Sequence, residues 1–155
     1  MTGERVVRLM GAGDPLFTGA AGLFDEYRQY YGANPAPEAV TTWLTELVLS
    51  GRARIYVAGA GGDSAETLGI CSVAVAPAAL TLRTLWLIRD LYVTPGARRR
   101  GVGRALLAVV AEEARAAGAH RLSLRTETSN TRAIDLYAKN GFEVLTDVAV
   151  MEKLL

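Results

Sequence analysis

Cysteine occurs once in the 155 residues, histidine once and proline five times, and charge of either sign is nearly balanced at +1. Each scarcity excludes something. A single cysteine, Cys71, forms no internal disulfide; it sits in the apolar run from Gly69 to Val75, where core packing and a reducing compartment are the expectation. The near-zero net charge gives no global field for nucleic acid or an anionic membrane. Apolar stretches fall short of the roughly 18 residues of a spanning helix, and the first residues lack the apolar core of a signal peptide. A soluble cytoplasmic protein is expected, with no nucleic-acid or membrane partner and no metal site. The lone His120 stands at a strand start and reads as surface.

What is present is a globular composition, 50% hydrophobic and 21% charged, on a length suited to one domain over residues 1–155. No repeat, linker or low-complexity segment interrupts it. A short strand is expected over 5–10. A helix follows from Asp14-Pro15, as N-cap and N1, to Tyr31, with Leu16, Phe17, Ala20, Leu23, Phe24, Tyr27 and Tyr31 on its apolar face. A second helix runs from about Glu38 to Ser50, with Val40, Trp43, Leu44, Leu47 and Val48 on one side, and is stopped by Gly51. Strands are expected over 54–58, 67–76 and 85–93, the first two joined by an exposed loop at 59–66. A helix over 102–117, a strand over 120–126 and a short helix over 131–139 follow, the last begun by Asn130 or Ser129. Phe142 to Leu145 and Val148 to Leu154 are expected to close the sheet as strands. This order makes an α+β domain on a mostly antiparallel sheet. The exception is the strand–helix–strand unit from 85 to 126, whose two strands should be parallel neighbours.

Within that unit lies the most informative stretch. The strand ending Leu91-Tyr92-Val93 runs through Pro95-Gly96 into Arg98-Arg99-Arg100-Gly101-Val102-Gly103-Arg104, and a helix starts there. Helix starts leave backbone N–H groups unpaired at the positive end of the dipole, and glycines let a ligand approach them. Taken alone the turn reads equally as a tight connection with a solvated arginine face. No Gly-Lys-Ser/Thr follows, so a nucleotide kinase is excluded.

Two linked motifs resolve it. Arg98-x-x-Gly101-x-Gly103 resembles the coenzyme A loop of the GNAT superfamily of N-acetyltransferases, between the expected strand and helix. Asn130-x-x-Ala133-x-x-x-Tyr137-x-x-x-Gly141-Phe142 resembles the short helix that flanks the cofactor thiol in that superfamily. Leu23-Phe24-x-x-Tyr27-Arg28-x-Tyr30-Tyr31-Gly32 is similar, more weakly, to the first helix of members grouped with fungal histone and polyamine acetyltransferases. The resemblance implies the GNAT fold, a mixed sheet of about seven strands with a parallel splay and about four helices.

It also implies acetyl-coenzyme A as cofactor and a primary amine as acceptor, whether a small molecule, polyamine, amino acid or lysine side chain, with direct transfer in a ternary complex. Backbone from Arg99 to Arg104 would hold the pyrophosphate, aided by Arg98, Arg99, Arg100 or Arg104, with Val102 inside the loop. The pantetheine arm would lie along Leu91, Tyr92 and Val93 and near Asn130 and Ala133, and a backbone N–H near Leu91 would polarise the thioester. Tyr137 would protonate the departing sulfur. Asp90 is the first candidate for binding or deprotonating the amine, with Glu127 and Glu26 as alternatives. Tyr27, Arg28, Tyr30, Tyr31 and the Pro35 to Pro37 loop would shape the acceptor pocket: aromatic faces suit ammonium and Arg28 suits carboxylate. A homodimer is a further expectation. A catalytically idle acyl-coenzyme A sensor on the same fold is the competing reading.

Overall fold

A computed structural model describes residues 5–61 and 66–155. The chain divides into two compact units, Met1–Arg125 and Thr126–Leu155. In the first, five strands form one sheet in the order of the chain: β1 (Val6–Leu9), β2 (Arg54–Gly59), β3 (Thr67–Ala78), β4 (Arg83–Val93) and β5 (Arg121–Leu124). The first four are mutually antiparallel, and β5 lies parallel to β4. Between β1 and β2 come α1 (Phe17–Tyr30) and α2 (Pro37–Ser50); α3 (Val102–Ala116) crosses from β4 to β5.

The helices cover both faces of the sheet. Because strand side chains alternate, Ile55 and Val57 of β2 and Ile70 of β3 join the cluster beneath α1 and α2, with Ala20, Leu23, Phe24, Val40 and Leu44. Their neighbours Tyr56, Gly69 and Cys71 face α3. Val102, Leu106, Leu107, Val110 and Ala114 of α3 are all buried, each large one contributing about 1.5–3 kcal/mol on burial. Gly69 permits this packing: a Cβ there would stand 2.9 Å from Val102 Cγ1 and 3.2 Å from the Tyr92 carbonyl oxygen. A polar tie reinforces it. Tyr56 donates to Glu113 of α3 at 2.6 Å while Arg54 reaches the same carboxylate at 2.8 Å, and the Arg54 guanidinium lies 4.9 Å from the Trp86 ring centroid. Burial and the bond to Glu113 push the Tyr56 hydroxyl up to about 12.

The second unit contains α4 (Thr131–Lys139), the expected short helix to the residue. Asn130 caps it by accepting from the Ala133 N–H at 3.2 Å. Gly141, at φ +89°, turns the chain out of it, and the Tyr137 and Phe142 rings meet edge to face at 5.8 Å.

Two expectations need correction. The sheet has five strands among the described residues, because 142–145 and 148–154 form no ladder. Their side chains Val144, Leu145, Val148, Val150 and Leu154 are exposed. An alternating pattern defines a face, whereas a strand also needs a partner edge. Helix α1 begins later than Asp14: that carboxylate caps a preceding turn, accepting from Leu16 N–H at 2.9 Å, and Leu16 is the N-cap. The stretch from Pro77 to Thr84 continues β3 to Ala78 and returns through a tight turn with Leu82 at φ 56°. Residues 62–65 of the expected 59–66 loop lie outside the described residues; at its ends, Ala60 N–H donates to the Glu66 carbonyl at 3.0 Å.

Asp14 also receives a two-pronged bond from Arg8, at 2.7 and 2.8 Å, which joins β1 to the entry of α1. That bond holds the Asp14 carboxyl below its ordinary value. A carboxyl depressed in the folded state adds stability above its unfolded pKa and loses it as pH falls through the folded value. Asp14→Asn should therefore cost about 1 kcal/mol near neutral pH, discounted for the partly exposed arginine. In urea titrations the gap to the native chain should close towards about pH 2; a gap of equal size at both pH values would contradict this.

Candidate active site

Strand β4 changes its character at Arg89. Its register with β3 pairs Val73 with Ile88 but Ser72 with Asp90, so Arg89 is an extra residue, a β-bulge. The bulge reverses which face the following side chains take. Trp86, before it, lies under Arg54 on the α3 face. Beyond it, Asp90 and Tyr92 turn to the α1 and α2 face: Tyr92 donates to Glu26 of α1 at 2.7 Å, and its ring meets that of Tyr27 at 5.8 Å. Burial and the Glu26 bond push the Tyr92 hydroxyl up to about 12.

Pairing with β5 also stops here. The parallel register runs from Leu85 opposite Arg121 to Ile88 opposite Leu124 and no further. Thr94 N–H donates to Leu68 of β3 at 2.9 Å. Backbone groups alternate sides along a strand, so those of Tyr92 and Asp90 also face β3, while those of Leu91 and Val93 face the open side. This is the expected splay, and it turns the N–H and C=O of Leu91 away from β3, beyond the last residue that β5 pairs.

The strand leads into a 3-10 turn, Pro95–Ala97, and then the arginine loop. Arg99 at φ 61° and Gly101 at φ 80° are left-handed, a geometry that turns successive N–H groups towards one concavity. Gly101 is the N-cap of α3, no side chain caps the helix, and no acid occupies its first turn. The first helical bond is from Ala105 N–H to the Gly101 carbonyl at 3.0 Å, leaving the N–H groups of Val102, Gly103 and Arg104 outside the helical pattern. Arg99, Arg100 and Arg104 are exposed around it. Arg5, before β1, donates to the Arg100 carbonyl and braces the loop. These features fit the diphosphate of coenzyme A. Arg98 is spent differently: its Nε donates to the Val93 carbonyl at 3.0 Å, and its guanidinium lies 5.5 Å from the Tyr92 ring centroid.

On the opposite side of β4 from α3 lies a cavity of about 370 Å³, lined by Phe24, Tyr27 and Arg28 of α1, Ala36, Ala39, Val40 and Trp43 at and along α2, and Asp90. Ser72 donates to the Asp90 carboxylate. Three expected acceptor residues, Tyr27, Arg28 and Asp90, thus meet in one place. Tyr30 and Tyr31 are not in the lining; they stand exposed at the end of α1 and stack edge to face at 5.1 Å. Glu127, Asn130, Ala133 and Tyr137 belong to the second unit, and Glu26 is engaged by Tyr92. Cys71 is fully buried and its thiol is pushed up to about 12 by burial, with nearby Asp90 adding to it; it packs the core. His120 is exposed, as expected.

Two contributors escaped the sequence reading. Asp25 is buried and accepts from Arg28 at 3.0 Å and from the Ala36 N–H at 3.0 Å, fixing the loop that ends one wall; its only signal was an acid three residues before an arginine on a helix. Trp43, expected only on the apolar side of α2, is half exposed, meets Phe24 at 5.5 Å and lines the cavity.

Fold and site together define an acyltransferase of the GNAT type. The acetyltransferase (GNAT) family model matches residues 18–142, and the chain belongs to that family. It is 29% identical over 123 residues, 79% of this chain and 80% of the relative, to the uncharacterized N-acetyltransferase YhfO of Bacillus subtilis (strain 168). A crystal structure of a probable acetyltransferase superposes at TM-score 0.87 with 26% identity, over 98% of this chain and 97% of that one. An aminoglycoside acetyltransferase from an uncultured soil metagenomic sample, solved with sisomicin, shares the fold at TM-score 0.79 and 16% identity, over 97% and 96% of the two chains. No helix among the described residues is long and apolar enough to cross a membrane.

Gly101 provides the test of the loop. Alanine there meets nothing closer than Arg5 Nη1 at 3.5 Å, so its cost is conformational, about 1–2 kcal/mol for a left-handed L-residue. Gly101→Ala should weaken acetyl-coenzyme A binding about tenfold in calorimetric titration. An unchanged Kd would show that the loop does not cradle the diphosphate.

Proposed function

We propose that the protein transfers the acetyl group of acetyl-coenzyme A directly to a primary amine seated in the cavity lined by α1, α2 and Asp90. One observation carries this reading. Asp90 and Leu91 are consecutive on β4, yet the bulge sends the Asp90 side chain into the cavity while the Leu91 backbone faces the open edge of the strand. An acceptor amine and an acyl group bound at those two places approach each other across a single residue step.

Acetyl-coenzyme A, the general acetyl donor of the family, supplies an activated thioester when bound. The N–H groups of Val102, Gly103 and Arg104 take its diphosphate, with Arg99, Arg100 and Arg104 adding charge. Arg98 holds the strand's exit by its bond to the Val93 carbonyl. The Leu91 N–H would donate to the acyl oxygen as negative charge develops on it, and such preorganised donors contribute roughly 3–4 kcal/mol. Asp90, oriented by Ser72, holds the ammonium and takes its proton, so that the neutral amine attacks.

Tyr137, by its place in the second motif, returns a proton to the departing sulfur. The ordinary pKa values of a phenol and a thiol, about 10 and 8.5, are close, and the resulting phenolate takes the extra proton that the attacking nitrogen still carries, so that a neutral amide and a free thiol leave. Asn130 caps α4 and presents Tyr137's helix.

An assay of free thiol released from acetyl-coenzyme A across a panel of amines tests this function; release dependent on an amine is expected. Tyr137→Phe should lower kcat by about tenfold to a hundredfold with the acetyl-coenzyme A Kd unchanged. Asp90→Asn should lower kcat/KM for the amine by about a hundredfold. A kcat left intact in Tyr137→Phe removes the donor role.

A further inference from the structure

The cavity carries information about which amine enters it. Six of its eight lining residues, Phe24, Tyr27, Ala36, Ala39, Val40 and Trp43, present apolar or aromatic surface. The other two bear opposite charges, Arg28 on α1 and Asp90 on β4. A volume of about 370 Å³ suits a small molecule. We infer that the acceptor is amphoteric: a small amine with an apolar or aromatic body that also carries a carboxylate, its ammonium at Asp90 and its carboxylate at Arg28. This rests on the acetyl-transfer reading above and narrows its substrate class.

The state of Arg28 is the main support. Its guanidinium is anchored through one nitrogen: Nη1 donates to Asp25 Oδ1 at 3.0 Å and to the Asn34 carbonyl at 3.1 Å. Asp25 is itself locked, buried and bonded by the Ala36 N–H at 3.0 Å and Gln29 Nε2 at 3.4 Å. Among the described residues no hydrogen bond engages Arg28 Nη2 or Nε. That pair is the edge of the fork that a carboxylate grips with two parallel bonds, and ordering it before binding lowers the entropy lost on capture. Asp25 cancels much of the cation's long-range field, so recognition depends on the fork's geometry and not on net charge.

The alternatives fit less well. A polyamine or an aminoglycoside brings several ammonium groups to a lining with one carboxylate, and places at least one of them against Arg28, which is costly away from water. A lysine side chain of a protein brings no carboxylate and leaves the fork unused.

Two matched pairs decide the matter: phenylalanine against phenethylamine, and 4-(aminomethyl)benzoate against 4-methylbenzylamine, each at saturating acetyl-coenzyme A. Within at least one pair the acid should have a kcat/KM higher by about tenfold to a hundredfold, the value of a charged hydrogen bond. Arg28→Gln should erase that preference by lowering the acid far more than its paired amine, and Arg28→Lys, which keeps the charge but not the fork, should fall between. Should Arg28→Gln fail to fold, the pairs measured on the native chain still decide. Calorimetric binding of the acids to native and Arg28→Gln protein separates this inference from acetyl transfer itself. Acids that bind in an Arg28-dependent way without thiol release support the pocket assignment and sink the transfer reading. Amines preferred over their acids, acids bound equally by both proteins, or no binding of either acid overturns the inference.

Discussion

The extra residue at Arg89 is the constraint on which the site depends. Without it, the period of two along β4 would put Trp86, Ile88, Asp90 and Tyr92 on one face, beneath α3. The bulge divides them: Trp86 and Ile88 stay in the α3 layer, and Asp90 and Tyr92 cross to the α1 and α2 layer. At the same point β5 leaves β4, so a single local irregularity creates an acidic group in a cavity and, next to it, a backbone edge that neither β3 nor β5 pairs. Bulges stiffen and redirect strands where side chains must be re-aimed, and here the re-aimed residue is the one charged group that β4 contributes to the cavity.

The two ends of the proposed site share this strand mechanically. Arg98, at the start of the anion loop, bonds the Val93 carbonyl and covers the Tyr92 ring; Tyr92 bonds Glu26, one helical turn from Leu23 in the α1 core. The loop and the acceptor helix are thus joined through two neighbouring residues of β4. On the other face, Gly69 lets the start of α3 sit close to the sheet, and the Arg54, Tyr56 and Glu113 tie holds the later part of the helix. The N–H groups of Val102, Gly103 and Arg104 are consequently held on a well-anchored helix start.

Much of this was legible in the residues. Periodicity and capping located α2, α3 and α4 to within a residue or two, and the glycine–arginine turn was legible as the connection from β4 into α3. Tyr27, Arg28 and Asp90 were named from their spacing and resemblance, and the structure gathers them in one cavity. The bulge left no trace, since the run from Leu85 to Val93 is apolar enough on both faces to hide a shift of register. Asp25 was hidden because a helix acid reads as solvated until its partner on another segment, the Ala36 N–H, is known. Residues 142–155 misled for the complementary reason: their alternation is real, but pairing is a property of two segments and only one is visible in a local pattern.

The proposed transfer requires that the backbone of Leu91 and the start of α3 form one ligand edge, adjacent to the cavity lined by Asp90. Amide resonances followed by NMR during titration with coenzyme A test it most directly. The largest shifts are expected at the N–H groups of Leu91, Val93, Gly101, Val102, Gly103 and Arg104, with those of Ile55, Val57 and Ile70 in the sheet interior nearly still. Shifts concentrated away from Leu91 and the α3 start, or a saturable titration that leaves them unmoved, would contradict it.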